Sequence, residues 1–131
     1  MLAIRSFVPG SAGGPDGLRP QHLKDLTSAT AGDAGRRLLT ELTEFANMCL
    51  IGRVSTIIQP VLCDASLCAL NKKDGGIRPI AIGFTLRRLI CKAACKAVVT
   101  RMASRFQPVQ VGFGVPRATE AAAHAARAYI T

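Results

Sequence analysis

The segment Leu70-Asn71-Lys72-Lys73-Asp74-Gly75-Gly76-Ile77-Arg78-Pro79-Ile80 places two lysines and an arginine on either side of a glycine turn, between two apolar runs. This pattern predicts a β-hairpin, with Cys63–Leu70 as one strand, Ile77–Ile82 as the other and Asp74-Gly75-Gly76 as the reversal. Both lysines and the arginine would then project from one tip, an arrangement suited to binding phosphates. A solvated turn is the alternative interpretation.

The charge of the chain is unevenly distributed. The net charge is +9 at pH 7, but residues 1–71 hold six basic and six acidic side chains, whereas residues 72–131 hold eleven basic and two acidic ones. A strongly cationic half favours a polyanionic partner. Nucleic acid is the commonest such partner, because each phosphate contacted by a cation releases counterions. An anionic membrane surface and a solvated basic face are the alternatives.

The cysteines indicate an intracellular protein, with nucleus and cytoplasm left open. Their number is odd and their spacing to histidine is not that of a zinc site, so we expect small buried hydrophobic residues in a reducing compartment. We expect no secretory signal and no membrane-spanning stretch. The 131 residues, 49% of them hydrophobic, suffice for one domain with a modest core or for part of a larger one.

Helix signals flank the predicted hairpin. We expect a flexible loop over residues 1–17, helices over 18–52, the hairpin over 62–83, a basic helix over 84–106 and a final segment over 107–131. Asp33 is the expected N-cap of the second helix. The apolar residues that recur at helical spacing in that helix are Leu38, Leu39, Leu42, Phe45, Ala46 and Cys49. The order of elements predicts an α+β fold, mainly helical with one β-hairpin.

The basic helix predicted over Phe84–Phe106 carries a cationic stripe. Arg88, Lys92 and Lys96 are four residues apart, while Leu86 and Ile90 occupy the roughly opposite face. Such a helix is either a surface helix or, behind a cationic hairpin tip, one wall of a positive groove. After it, Val109–Pro116 is expected to be extended and Ala118–Tyr129 to be helical.

Four segments carry a resemblance to a known family. They are GGPDGLRPQHLKDL (Gly13–Leu26), ALNKKDGGIRPIAIG (Ala69–Gly83), LRRLICKA (Leu86–Ala93) and QVGFGVPRATEAAAHAARAYI (Gln110–Ile130). In this order they resemble the reverse transcriptase (RNA-directed DNA polymerase) domain of non-LTR retrotransposons, from about Ser6 to Ile130. The resemblance implies a fingers-type fragment of a polymerase right hand, with the palm and thumb portions missing.

The resemblance also implies roles for individual residues. In the family, the fingers hairpin folds over an incoming deoxynucleotide, and the positions that match its triphosphate contacts are Lys72, Lys73 and Arg78. Phosphoryl transfer gains most from cations placed on the triphosphate, which agrees with these assignments. Contacts to the template or its backbone are assigned to Arg87, Arg88, Lys92, Lys96, Gln110, Gly112 and Phe113. The implied partners are deoxynucleotides and an RNA or DNA template-primer.

Polymerase chemistry needs carboxylates that hold two metal ions. In the family, the first such aspartate follows the segment that matches His124–Ile130, and the acidic residues of this chain form no Asp-x-Asp or Asp-Asp pair. We therefore assign no catalytic residue, no metal-binding residue and no cofactor to this chain, while Mg²⁺ is expected for the complete domain. The first hypothesis is a retroelement reverse transcriptase fragment that is inactive alone.

A second hypothesis is a stand-alone basic nucleic-acid-binding module, which would bind RNA or single strands through backbone charge. The scarcity of aromatic side chains that could stack on bases counts against this hypothesis. Tyr129 is the one tyrosine, and the five phenylalanines fall mostly at expected core positions. A weaker third hypothesis gives the basic helix a role at a membrane surface or against a partner helix. We expect no membrane partner.

Overall fold

A computed structural model describes residues 2–110 and 112–130. These residues form an α+β fold with one antiparallel two-stranded hairpin, as predicted. The elements are α1 (Leu2–Arg5), α2 (Pro20–Leu26), a 3-10 turn (Ala29–Ala31), α3 (Gly32–Leu50), α4 (Ile58–Cys63), β1 (Ala65–Asn71), β2 (Ile77–Gly83), α5 (Thr85–Phe106) and α6 (Ala118–Ile130). The chain divides into two compact units, one up to Lys92 and one from Ala93 onward, so that the boundary lies within α5.

The core of the first unit forms around residues near the N-terminus. Ile4, Phe7, Leu23 and Leu89 pack together, and each is at most 7% exposed. Residues 1–17 were expected to be a flexible loop, but the structure places the helical turn α1 there and takes two of these four core side chains from this segment. The difference arises because Ile4 and Phe7 pack on side chains of α2 and α5, which are distant in sequence.

Helix α3 has the amphipathic pattern that the sequence predicts. The residues expected on its apolar face are all half-buried: Leu38, Leu39, Leu42, Phe45, Ala46 and Cys49. Two of them, Leu39 and Leu42, pack against the core cluster of the first unit. Burial also raises the pKa of the Cys49 thiol, because desolvation disfavours the thiolate.

The start of α3 differs from the prediction. Asp33 was expected to be the N-cap, but the helix begins at Gly32 and follows Ala31, which itself has helical dihedral angles. The expectation was wrong because the preceding 3-10 turn leads directly into α3, so that no extended capping residue precedes it. Asp33 instead forms an ion pair with Arg36 inside the first turn, where a negative charge is favourable.

The hairpin pairs β1 with β2 in an antiparallel register that runs from Ala65 opposite Gly83 to Asn71 opposite Ile77. The first strand starts two residues later than expected, because Cys63 belongs to α4. Helix α4 includes Pro60 in its first turn. A proline is tolerated there, since the first backbone N–H groups of a helix have no intrahelical acceptor.

The second unit contains the end of α5, the following loop and α6. Ala103 of α5 and Ala118 of α6 are buried. Gly114 has a φ of +69°, and a Cβ there would come within 2.7 Å of the Ala103 Cβ, so this position requires glycine. The segment Val109–Pro116, expected to be extended, contains a turn at each end and a bend at residues 112–114, and Val111 lies outside the described residues.

Candidate functional site

The tip of the hairpin, residues 72–76, is closed by backbone hydrogen bonds. The Lys72 N–H donates to the Gly76 carbonyl at 2.7 Å, and the Gly75 N–H donates to the Lys72 carbonyl at 3.1 Å. Gly75 has a φ of +82°, a conformation that favours glycine. Asp74 Oδ1 accepts a hydrogen bond from the Gly76 N–H at 3.1 Å. The predicted reversal therefore forms, and the Asp74 carboxylate helps to close it.

A concavity of about 460 Å³ lies at this tip and is called the tip concavity below. Its described lining residues are Leu70, Asn71, Lys72, Lys73, Asp74 and Arg78. The three residues assigned to a triphosphate by resemblance thus line one concavity, together with a single carboxylate. All three cations are exposed, and their side chains make no hydrogen bond or ion pair with any residue that the structure describes.

Strand alternation explains why two of these cations share a face of the hairpin. Arg78 lies directly opposite Leu70 in the register, and Lys72 follows Leu70 by two residues. Leu70, Lys72 and Arg78 therefore belong to one face of the hairpin. Farther from the tip, the same face carries the half-buried side chains of Cys68 and Ile80. This face therefore changes from apolar to cationic as it approaches the tip.

Arg87 lies at the other end of the hairpin, where it connects both strands to α5. Its Nη1 donates to the carbonyl of Cys63, just before β1, at 2.6 Å. Its guanidinium group also lies against Gly83, the last residue of β2, and leaves no room there for a Cβ. Arg87 is therefore a positioning residue of the hairpin, and its assigned contact with a template stays a prediction.

Arg88 and Lys92 contact the N-terminal segment. The Arg88 Cζ is 5.4 Å from the centroid of the Phe7 ring, and the Lys92 Nζ is 5.2 Å from the same centroid, which gives two cation–π contacts. Arg88 Nη1 also donates to the Ala12 carbonyl at 2.7 Å. The two cations keep the side of α5 that helical spacing predicts, but Phe7 of the core cluster packs along this side. The sequence did not indicate that the N-terminal segment covers them.

The GGPDG loop, residues 13–17, has a structural role that the sequence analysis missed. Gly14 lies directly on the end of β2, and a Cβ at this position would come within 2.7 Å of the Phe84 Cα and 2.8 Å of the Gly83 carbonyl oxygen. The Gly17 N–H donates to the Gly14 carbonyl at 2.9 Å, and Asp16 Oδ1 accepts from the Leu18 N–H at 3.1 Å. The paired glycines before Pro-Asp-Gly were the available signal for a close backbone contact.

The remaining residues assigned to the template belong to the second unit. Lys96 is exposed on α5. Gln110 Oε1 accepts a hydrogen bond from the Gly112 N–H at 2.7 Å. The ring of Phe113 packs edge-to-face on Phe106 with a centroid distance of 5.7 Å. The structure thus brings Gln110 and Gly112 together locally, and their assigned contact with a template stays a prediction.

In the part of the chain that the structure describes, no group of three or more His, Cys, Asp or Glu side chains is arranged to hold a metal ion. No described helix is both long and apolar enough to cross a membrane. Comparison with family models, curated proteins and solved structures yields no match. The resemblance to reverse transcriptases therefore depends on the four sequence segments alone.

Proposed function

We propose that the tip concavity binds the triphosphate of a nucleotide, and that the chain is the fingers portion of a reverse transcriptase of the non-LTR retrotransposon type. The observation that carries this proposal is the convergence of Lys72, Lys73 and Arg78 on one concavity. The four ordered segments support the choice of a nucleotide among polyanions. Within a complete domain, the tip would stabilise the triphosphate of the incoming deoxynucleotide.

The chemistry of the lining residues fits a compact polyanion. Three cations and one carboxylate give the tip concavity a net charge of +2. Lysines act as compact point charges, and an arginine can donate two parallel hydrogen bonds to one phosphate. A volume of about 460 Å³ lies within the range of small-ligand sites. Asp74 opposes binding by its charge, but its hydrogen bond to Gly76 keeps the turn closed.

The catalytic contribution of such a site is electrostatic. Phosphoryl transfer depends on positioning and on charge stabilisation, with little covalent help from the protein. For the complete domain the proposal includes Mg²⁺, which would activate the attacking hydroxyl and stabilise the leaving group. Among the described residues, no group of three or more His, Cys, Asp or Glu side chains is arranged to hold that ion. The proposal is confined to nucleotide binding and to contacts with the template backbone.

Substitution of the three tip cations tests the proposal. We expect Lys72→Ala/Lys73→Ala/Arg78→Ala to weaken binding of deoxythymidine triphosphate and of tripolyphosphate at least about tenfold, because charge-assisted hydrogen bonds are lost. The matched control is Arg36→Ala/Arg37→Ala/Arg53→Ala, which removes the same charge from exposed positions outside the tip concavity. Calorimetric titration at constant ionic strength measures both variants. An equal loss in both, or no loss in the first, would contradict the proposal.

The second candidate function is a stand-alone module that binds RNA or single-stranded DNA through backbone charge. It is favoured by the exposed cations of the second unit, such as Lys96, Arg101 and Arg105, which the triphosphate site does not use. Competition separates the two candidates. If a nucleoside triphosphate fails to displace a bound oligonucleotide at saturating concentration and shows no affinity of its own, the module is supported and the fingers proposal is contradicted.

A further inference from the structure

The outer edge of β1 has no partner strand in the part of the chain that the structure describes. β1 and β2 form a two-stranded sheet, so each strand has one edge that no other described strand covers. Among the described elements, β1 makes extensive contact only with β2. Over Ala65–Asn71 the strand also has no proline, glycine or charged residue, the features that commonly keep a strand edge from pairing. This edge is therefore open to a further strand.

The turn of the hairpin fixes which backbone groups of β1 point outward. The Lys72 N–H donates to the Gly76 carbonyl, so these two residues form a hydrogen-bonded pair across the hairpin. Hydrogen-bonded and non-hydrogen-bonded pairs alternate along an antiparallel ladder. The even-numbered residues of β1 therefore bond to β2, and the odd-numbered ones direct their N–H and C=O groups to the outer edge. The residues whose outward N–H groups have no described acceptor are Leu67, Ala69 and Asn71.

The two edges of the hairpin are not equivalent. Pro79 lies opposite Ala69, at a non-hydrogen-bonded position, where an N–H group would point to the outer edge of β2. Because proline has no N–H group, the outer edge of β2 lacks a donor within the strand. On β1, by contrast, the Leu67 side chain is 75% exposed. Both the backbone donors and the uncovered apolar surface therefore direct a further strand to β1.

The sequence of β1 is complementary to a second copy of itself. When two β1 strands run antiparallel about Cys68, Leu67 lies opposite Ala69 of the second copy, and Asn71 lies opposite Ala65 of the second copy. These residues direct their backbone groups outward, so they form the hydrogen-bonded pairs of the new ladder. Cys68 lies opposite its own copy at a non-hydrogen-bonded position. One register therefore pairs the outer edges of both strands.

The same register brings opposite charges together. Asp64 precedes β1 with extended backbone and lies opposite Lys72 of the second copy, so that this pair occurs at both ends of the contact. Both side chains are exposed and belong to the face of the strand that carries Cys68. Opposite charges directly across two strands are stabilising. This charge complementarity favours a second copy of the chain over an unrelated strand.

An antiparallel arrangement also limits the repulsion between two chains that each carry a net charge of +9. Lys72 of one copy lies opposite Asp64 of the other, so the two lysines are eight residues apart along the strands, or about 27 Å. This separation exceeds the Debye length of about 8 Å at physiological ionic strength. A parallel pairing would place the two cationic tips side by side and is therefore disfavoured.

We infer that two copies of this chain associate through their β1 strands and form a continuous four-stranded antiparallel sheet in the order β2, β1, β1, β2. The contact consists of a backbone ladder about Cys68 with an Asp64–Lys72 ion pair at each end. Its small area makes it a weak dimer that forms and dissociates with concentration. This inference goes beyond the proposed function and does not depend on it.

Proline substitutions at the two edges test the inference in the full chain. Sedimentation velocity at concentrations up to about 0.5 mM, where a small interface is still populated, should show reversible dimerisation of the wild type. We expect Ala69→Pro to raise the dissociation constant at least about tenfold, because it removes an outward donor from β1. The matched control Ala81→Pro removes an outward donor from β2 and should keep the wild-type value. A monomeric wild type, or an equal loss in both variants, would overturn the inference.

Charge reversal tests the register without disturbing the backbone. We expect Asp64→Lys and Lys72→Asp each to raise the dissociation constant at least about threefold, because each places like charges at both ends of the contact. The combined variant Asp64→Lys/Lys72→Asp restores opposite charges and should recover most of the wild-type affinity. Circular dichroism confirms that the three variants keep their secondary structure. Weaker dimerisation of the combined variant than of either single one would show that the two residues do not face each other.

Disulfide cross-linking locates the axis of the dimer. Copper phenanthroline takes two electrons from two thiols, which lose their protons as the disulfide forms. The link should join Cys68 to Cys68 of the second copy, because a non-hydrogen-bonded antiparallel pair brings the Cα atoms to about 4.5 Å. Peptide mapping distinguishes this link from links through the exposed Cys63, Cys91 and Cys95. Its absence at a concentration where the wild type is dimeric would contradict the register.

The dimer and the polyphosphate site can fail independently. Lys73→Ala/Arg78→Ala should weaken tripolyphosphate binding but keep the dissociation constant of the dimer within about threefold, because neither side chain belongs to the contact and the two tips are screened from each other. Loss of dimerisation in this variant would overturn the pairing through β1. A wild type that dimerises as described without binding tripolyphosphate would support the inference and contradict only the proposed function.

Discussion

The tip and the base of the hairpin both carry cations, but their surroundings differ. At the tip, Lys72, Lys73 and Arg78 are exposed around a concavity, and no described residue pairs with their side chains. At the base, Arg87 and Arg88 donate to main-chain carbonyls at 2.6 and 2.7 Å. Charge counted along the sequence therefore does not distinguish cations that hold the fold from cations that are available to a ligand.

The difference has an energetic consequence. A phosphate that approaches Arg87 must compete with a protein carbonyl, and loss of such a hydrogen bond removes about 1 kcal/mol of stability. A phosphate that approaches the tip meets three exposed cations whose side chains have no partner among the described residues. We therefore assign ligand binding to the tip and a structural role to the base. The first three of the following predictions test that division, and the fourth tests the cover of the apolar face of α3.

The largest expected effect lies at the base, where Phe7 is 5% exposed under Arg88 and Lys92. We expect Phe7→Ala to lower the free energy of unfolding by about 3 kcal/mol, because it leaves a cavity in the core and removes both cation–π contacts. Urea denaturation followed by circular dichroism measures the change. The neighbouring Val8 is 73% exposed, and Val8→Ala should alter the value by less than about 0.5 kcal/mol. Similar effects of the two substitutions would contradict the assignment of the core.

A smaller loss of stability is expected for substitutions in the GGPDG loop, residues 13–17, which packs on the base of the hairpin. Gly14→Ala should lower the free energy of unfolding by about 2 kcal/mol, because the added Cβ meets main-chain atoms of Gly83 and Phe84 that have little freedom to move. The matched substitution at the tip is Gly76→Ala. Its Cβ would meet Asp74 Oδ1 at 3.3 Å and Lys72 Cδ at 3.4 Å, both on exposed side chains, and we expect a change in the free energy of unfolding below about 1 kcal/mol. Thermal melts measure the loss of stability in both variants. A larger loss for Gly76→Ala than for Gly14→Ala would contradict the structural role of the base.

Single cations give a more direct contrast. Arg87→Ala should lower the free energy of unfolding by about 1 kcal/mol, because the Cys63 carbonyl loses its donor. Lys73→Ala should leave it unchanged to within about 0.5 kcal/mol, since this exposed side chain has no described partner. Urea denaturation of both variants under identical conditions is the measurement. Destabilisation by Lys73→Ala would show that the tip also holds the fold.

The smallest expected effect concerns thiol reactivity. Burial raises the pKa of Cys49, so at any mildly alkaline pH a smaller fraction of it is the reactive thiolate. We expect a short iodoacetamide pulse, followed by mass spectrometry, to modify Cys49 more slowly than the exposed Cys63, Cys91 and Cys95. Equal rates would mean that the apolar face of α3 is not covered as described.

Local signals predicted much of this fold. The Asp-Gly-Gly reversal and the position of α6 follow from residue types that act over a few neighbours. Helix α4 was missed because Pro60 and the β-branched residues around it are not typical of helices. The sequence also indicated that the tip cations would lie together, since a short turn keeps the residues on its two sides close in space.

Contacts between distant parts of the sequence could not be predicted in the same way. The sequence offered no signal that Phe7 would lie against Arg88 and Lys92, because helical periodicity describes the faces of α5 without saying what covers them. For the same reason, the role of Gly14 at the end of β2 emerged only with the structure. The exposed rings of Phe106 and Phe113 are a third case, since aromatic residues are usually assigned to the core.

Nuclear magnetic resonance provides the decisive titration. Tripolyphosphate, and then deoxythymidine triphosphate, are added to the isotope-labelled full chain while the backbone amide signals are followed. Both ligands should shift the signals of residues 70–78 in a saturable way, and the Lys72→Ala/Lys73→Ala/Arg78→Ala variant should lose these shifts. Saturable shifts at Arg87 and Arg88 with none at the tip, or shifts in the tip that survive the triple substitution, would contradict a polyphosphate site at the hairpin tip.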